Sequence, residues 1–202
     1  AHGLTEVSNH VYCYFDPNSG ELLRSSMKNI NGNTYYFEQD GAMVTNKFVW
    51  LPVEPNNQYG MTYFDNNGQM YKNGKYNIGG HWYLFDQYGA YLTGLQKVNG
   101  QTCYFDPQTG WMAQNKFVWL PVEPNNQYGM TYFDNNGQMY KNGKYQIGNH
   151  WYYFDQYGAY LTGWQTINGH RYYFDPQTGW MATGKVQIAG KWYTFNNNGV
   201  LV

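Results

Sequence analysis

Short runs of alternating residues recur along the whole chain, as in His150-Trp151-Tyr152-Tyr153-Phe154, each closing on a Phe and followed by a polar turn. A period of two over five residues rich in aromatics predicts a β-strand. The turn Asp155-Gln156-Tyr157-Gly158 follows, then the short stretch Ala159-Tyr160-Leu161, which reads as a return strand. An Asp carboxylate at the turn start can accept hydrogen bonds from backbone N–H groups just ahead of it, and Gly supplies the left-handed conformation that closes the loop. The longer turns Asp106 to Gly110 and Asp175 to Gly179 keep the same logic with one more residue. A connector such as Gly163 to Gly169, ending in Asn-Gly, carries a second turn signal. No segment shows a helical period.

The Phe recurs at 15, 37, 64, 85, 105, 133, 154, 174 and 195, about every 20 residues. A fixed short period indicates a repeat array. The expected fold is therefore all-β, a solenoid of about nine β-hairpins forming a single array over residues 1–202. A larger period overlies the small one: residues 46–114 match residues 115–183 at 59 of 69 positions. The array divides into a partly degenerate first turn (1–46), two near-identical three-hairpin modules (47–115 and 116–184) and a terminal hairpin (185–202). If three hairpins complete one superhelical turn, each module is one turn, and its insertion, Leu51 to Gly60 or Leu120 to Gly129, projects from one side.

Composition narrows the chemistry. The chain is 21% aromatic, with 23 Tyr, so burial must come from packed rings more than from aliphatic side chains. Twelve basic residues against thirteen acidic, with no run of one sign, are unsuited to neutralising a phosphate backbone, so nucleic acid is not an expected partner. No stretch approaches the ~20 apolar residues of a membrane-spanning helix, and membrane insertion is not expected. Ala1-His2-Gly3 shows no signal-peptide pattern, as expected of a mature or excised piece of a longer protein. Cys13 and Cys103 fall in one slot, two residues before the Phe, and four repeats apart; they are read as free thiols.

Catalysis is not expected. Eight of the acids (Asp16, Glu38, Asp65, Asp86, Asp106, Asp134, Asp155 and Asp175) occupy the turn slot, where a structural role accounts for them. The histidines lack metal-ligand spacing, and neither a metal nor a cofactor is expected. Alternation places the Phe, and the residue two before it, on a core face. The opposite face, which tolerates Leu84, Thr194 and Arg171, is expected to be wetter. Aromatic rings interleaved with Asn, Gln, Thr and Lys suit sugar: a ring face stacks on pyranose C–H groups while amides and Lys hydrogen-bond hydroxyls.

The phrase Thr162-Gly163-Trp164-Gln165-Thr166-Ile167-Asn168-Gly169, followed by Tyr172-Tyr173-Phe174-Asp175, resembles the cell-wall/choline-binding repeat superfamily. Within it the chain is most similar to the glucan-binding repeats of glucansucrases and glucan-binding proteins of lactic-acid bacteria and streptococci; clostridial toxin tails carry similar repeats. The resemblance covers essentially the whole chain. It implies a left-handed solenoid with about three hairpins per turn, ligand pockets between hairpins, and a secreted or cell-surface protein that binds a polysaccharide.

The resemblance also implies sites. Glucan pockets gather a Tyr, a Gln and a Lys from successive hairpins, matched here by Tyr91, Gln96 and Lys116 and by Tyr160, Gln165 and Lys185. Choline cages use the Trp of a Gly-Trp pair and the Trp of the next strand. The positions after Gly read Lys75, Leu95, Lys144, Trp164 and Lys185, so Trp164 alone keeps the pair, with Trp82 and Trp151 as strand tryptophans. The insertions offer Trp50, Tyr59, Trp119 and Tyr128, with Asn56, Asn57, Asn125 and Asn126, as host-glycan candidates, unless the tryptophans pack under their own loops. Three binding readings stay open: an α-glucan of dextran type, choline-bearing teichoic acid or another cell-wall polymer, and host glycan. A purely structural spacer is the fourth.

Overall fold

The computed structural model describes residues 2–53, 58–122 and 127–202. They resolve into two compact units, residues 1–94 with 105–112, and residues 95–104 with 113–202. The candidates Asn56, Asn57, Asn125 and Asn126 lie outside the described residues.

Among the described residues all regular structure is β, in two-stranded antiparallel hairpins. In the first unit, hairpin 1 pairs β1 (Gly3–Ser8) with β2 (Val11–Phe15), and hairpin 2 pairs β3 (Ser26–Ile30) with β4 (Asn33–Phe37). Hairpin 3 pairs β5 (Lys47–Val53) with β6 (Gln58–Phe64), and hairpin 4 pairs β7 (Gly74–Ile78) with β8 (His81–Phe85). Hairpin 5 pairs β9 (Gly94–Val98) with β10 (Gln101–Phe105), and all of it but the end residues Gly94 and Phe105 falls in the second unit. In the second unit, hairpin 6 pairs β11 (Lys116–Val122) with β12 (Gln127–Phe133), and hairpin 7 pairs β13 (Gly143–Ile147) with β14 (His150–Phe154). Hairpin 8 pairs β15 (Gly163–Ile167) with β16 (His170–Phe174), and hairpin 9 pairs β17 (Gly184–Ile188) with β18 (Lys191–Phe195).

The hairpins are framed differently from the sequence expectation. Each aromatic strand pairs with the connector that precedes it, and the presumed return strand is reduced to a one-residue bridge, such as Phe154 to Tyr160. Turn chemistry explains the choice. Asn168 and Gly169 have φ of 50° and 79°, the paired positive values of a two-residue hairpin loop whose twist matches its strands. The Asp turn instead sends the chain on to the neighbouring hairpin: Tyr160 donates its N–H to the Met130 carbonyl in hairpin 6, while Leu161 donates to Tyr153 in its own. The same pair of bonds recurs at Tyr91 to Met61 with Leu92 to Leu84, and at Met70 to Thr34 with Tyr71 to Tyr63. Serial stacking is thus written into the backbone once per repeat.

The turn carboxylates act as expected. Asp86 Oδ1 accepts from the N–H groups of Tyr88, Gly89 and Ala90, and Asp155 does the same for Tyr157, Gly158 and Ala159. Gly89 has φ +96°, and a Cβ there would stand 2.4 Å from Met70 Sδ, so the turn of one hairpin sits directly on the bridging residue of the one before.

Phe37, Phe64, Phe85, Phe105, Phe133, Phe154, Phe174 and Phe195 are buried. Each contributes about 1.5–3 kcal/mol of apolar burial. The slot two residues earlier varies in size: Tyr83 and Tyr152, the buried cysteines Cys13 and Cys103, neither in a disulfide, and in the elongated hairpins Thr62 and Thr131. These two threonines are fully buried, and each hydroxyl donates to a backbone carbonyl, Val49 at 2.9 Å and Val118 at 2.8 Å. The opposite face is less wet than its sequence tolerance suggests. Tyr14 packs on Phe37, Tyr36 on Phe64, Tyr104 on Phe133 and Tyr153 on Phe174, so the second face of each of these four hairpins becomes the floor of the next.

Candidate functional site

Three rings converge where hairpins 3 and 4 meet: Phe48 lies 5.1 Å from Tyr83 and 6.5 Å from Tyr91, with Tyr83 and Tyr91 6.0 Å apart. With Met61 and Thr109 they line a cavity of about 170 Å³. The second unit repeats the cluster as Phe117, Tyr152 and Tyr160, at 5.3 Å, 6.3 Å and 5.9 Å. Sequence reasoning missed Phe48 and Phe117, because a search for Gly-Trp pairs passes over positions preceded by Lys47 and Lys116. The register supplies the signal: Phe48 opposite Tyr63, Phe117 opposite Tyr132 and Trp164 opposite Tyr173 all stand one place into the first strand, facing the residue before the Phe.

The expected trios meet different neighbours. Tyr160 is part of the three-ring cluster, Gln165 donates its amide N–H to the Thr162 carbonyl at 2.7 Å, and the Lys185 ammonium lies 5.1 Å from the Trp192 ring. Tyr91 belongs to the first unit; Gln96, half-buried on β9, and Lys116, exposed at the start of β11, belong to the second. Burial, then the neighbouring Tyr83 and Asp106, push the Tyr91 phenol above its ordinary range; burial, Tyr152 and Asp175 do the same to Tyr160. Both phenols therefore stay protonated as hydrogen-bond donors at neutral pH.

Several ring faces already carry a cation. Lys75 lies over Trp82 at 4.8 Å, Lys144 over Trp151 at 5.0 Å, and the Arg171 guanidinium over Trp164 at 4.5 Å. Trp164 also contacts Tyr193 at 4.9 Å and Phe195 at 5.9 Å, so the Gly163-Trp164 pair does form a ring cluster, capped by Arg171.

The elongated hairpins hold their aromatics in the open. Trp50 and Tyr59 are 57% and 60% exposed and stack at 6.3 Å with a 24° tilt. Trp119 and Tyr128 are exposed to the same degree and stack at 6.2 Å. Both tryptophans are exposed. A further pairing was not anticipated: His81 lies flat on Trp111, whose indole N–H donates to the Tyr83 hydroxyl at 2.7 Å, and His150, Trp180 and Tyr152 repeat it.

Hairpins stacked in series with aromatic clusters between neighbours define a repeat-type binding array. The choline-binding repeat model matches residues 23–74, 72–117 and 161–202, and a cell wall binding repeat matches residues 145–159; the chain belongs to the choline-binding repeat family. It is similar to Glucosyltransferase-S of Streptococcus mutans, 33% identical over 186 residues, covering 91% of this chain and 11% of that protein. It is also similar to Glucosyltransferase-I of Streptococcus downei, 28% identical over 163 residues, covering 75% of this chain and 9% of that protein. The chain thus spans about a tenth of the length of these relatives. In fold it is similar to the choline-binding domain of CbpL from Streptococcus pneumoniae, with a TM-score of 0.62 and 21% identity, covering 100% of this chain and 97% of that one.

Proposed function

We propose that the chain is a non-catalytic carbohydrate-binding array for an α-glucan of dextran type, working as part of a larger secreted or cell-surface protein. The observation that carries this reading is the pre-organised ring cluster around Tyr160, with its repeat around Tyr91. Phe117 and Tyr152 fix the ring at low entropic cost, and its phenol stays a donor for a sugar hydroxyl. Gln165 and Lys185, in the same unit as Tyr160, supply further hydrogen bonds, and Gln96 and Lys116 hold the matching sequence positions of the earlier module. Similarity to Glucosyltransferase-S across 91% of the chain supports the choice of glucan. Weak sites in tandem suit a polymer, because simultaneous engagement multiplies affinity without any new contact. Isothermal titration with isomalto-oligosaccharides tests the assignment. Gln96→Ala with Gln165→Ala weakens binding at least tenfold, and undiminished binding contradicts it.

A second reading is a choline-bearing cell-wall polymer. The 170 Å³ cavity among Phe48, Tyr83 and Tyr91 favours it, since three ring faces can hold a quaternary ammonium. Against it, the ring at Trp164 already has Arg171 across its face.

A further inference from the structure

Hairpin 2 departs from the rule that governs the other turns, and the departure coincides with a wide concave surface on the first unit. Where other repeats carry Asp or Asn, hairpin 2 carries Glu38. Its longer side chain leaves the turn to Asp40, whose Oδ1 accepts the Ala42 N–H, and reaches Lys47 at 2.6 Å instead. Where the following repeats place Asn in the left-handed position, as at Asn46 and Asn73, hairpin 2 has Ser25, at φ 44°.

These substitutions line two adjoining clefts. One, of about 650 Å³, is bounded by Ser25, Tyr36, Glu38, Gln39, Asp40 and Val49. The other, of about 480 Å³, shares Ser25 and Tyr36 and runs on to Pro52 and the exposed Trp50–Tyr59 stack. Together they form one groove with an aromatic platform at one end and two carboxylates at the other.

We infer that this groove is a second glycan site, for a neutral pyranose oligosaccharide. Trp50 and Tyr59 present ring faces to sugar C–H groups, Ser25 offers a hydroxyl, and Glu38 and Asp40 accept from sugar hydroxyls. The same carboxylates repel an anionic glycan, since Lys47 neutralises only one of them. The groove is separate from the ring clusters at Tyr91 and Tyr160, although the choice of an α-glucan probe rests on the function proposed above.

The test is two-dimensional NMR of the indole N–H and side-chain amide N–H signals of the full chain, with the Gln165 amide assigned from Gln165→Ala, titrated with isomaltotetraose and separately with sialyllactose. The Trp50 signal is assigned from Trp50→Phe. Isomaltotetraose moves the Trp50 signal, Tyr59→Ala weakens that response at least fivefold while leaving the other indole signals in place, and sialyllactose does not move it. A Trp50 signal unmoved while Gln165 responds overturns the groove and spares the glucan reading. Movement at Trp50 without any at Gln165 upholds the groove and removes the proposed trio, and no response anywhere overturns both. Equal movement with sialyllactose overturns the neutral-ligand assignment.

Discussion

The imidazole of His150 lies flat against the indole of Trp180, ring centroids 3.5 Å apart and planes 4° from parallel, and the indole N–H donates to the buried Tyr152 hydroxyl at 2.9 Å. This locks the long turn after hairpin 8 onto hairpin 7. Trp180→Phe keeps a ring but removes the donor, leaving the Tyr152 hydroxyl short of a partner. A loss of about 1–2 kcal/mol is expected in urea unfolding, and no change would show that the contact is incidental.

Turn glycines differ in what surrounds them. Gly89 and Gly94 both have positive φ, but a Cβ at Gly89 meets Met70 while one at Gly94 meets nothing within 4 Å. Gly94→Ala is expected to cost about 1 kcal/mol, the backbone penalty alone. Gly89→Ala adds the displacement of Met70 and reaches roughly 2–3 kcal/mol. Equal losses in thermal denaturation would show that the hairpins do not stack through this residue.

Acid should loosen the turns. Hydrogen bonds from the Thr178 N–H and hydroxyl and from the Gln177 N–H lower the Asp175 pKa from its ordinary 3.8, against a small opposing effect of burial. A depressed folded pKa gives stability that is fully present above the unfolded value and is lost as pH falls below about 4. Asp175→Asn should flatten part of the fall in melting temperature between pH 5 and pH 3. An unaltered slope would assign the acid sensitivity to other groups.

Much of this architecture is legible in the sequence because one side chain per repeat, the Phe, has a single invariant job. The Asp turns are equally readable, since an Asx-type hydrogen bond is local. Pairing is less so: Asn168-Gly169 and Asp155 to Gly158 are both plausible hairpin loops, and only the twist match of the two-residue loop decides which strands pair. The ring clusters escape for a different reason. Phe48 meets Tyr83 across 35 residues, and Trp111 meets His81 across 30, so nothing in either local pattern announces the partner. A residue-type search for Gly-Trp also hides Phe48 and Phe117, whose place is defined by register.

Arg171 over Trp164 is expected to exclude a quaternary ammonium. Arg171→Ala should raise choline affinity at the Trp164 cluster roughly tenfold, as a cation–π contact of about 1–2 kcal/mol becomes available to the ligand. Quenching of Trp164 fluorescence by choline, compared with a Trp164→Phe background, reads it. Equal quenching in both proteins would mean that the guanidinium does not guard the ring.

Retention on a dextran column reads α-glucan binding by the array without a mutation or a label. An array that binds α-glucan is retained in low-salt buffer and released by free isomaltotetraose. Passage through dextran without delay, with retention on a tertiary-amine resin and release by choline, would contradict α-glucan binding.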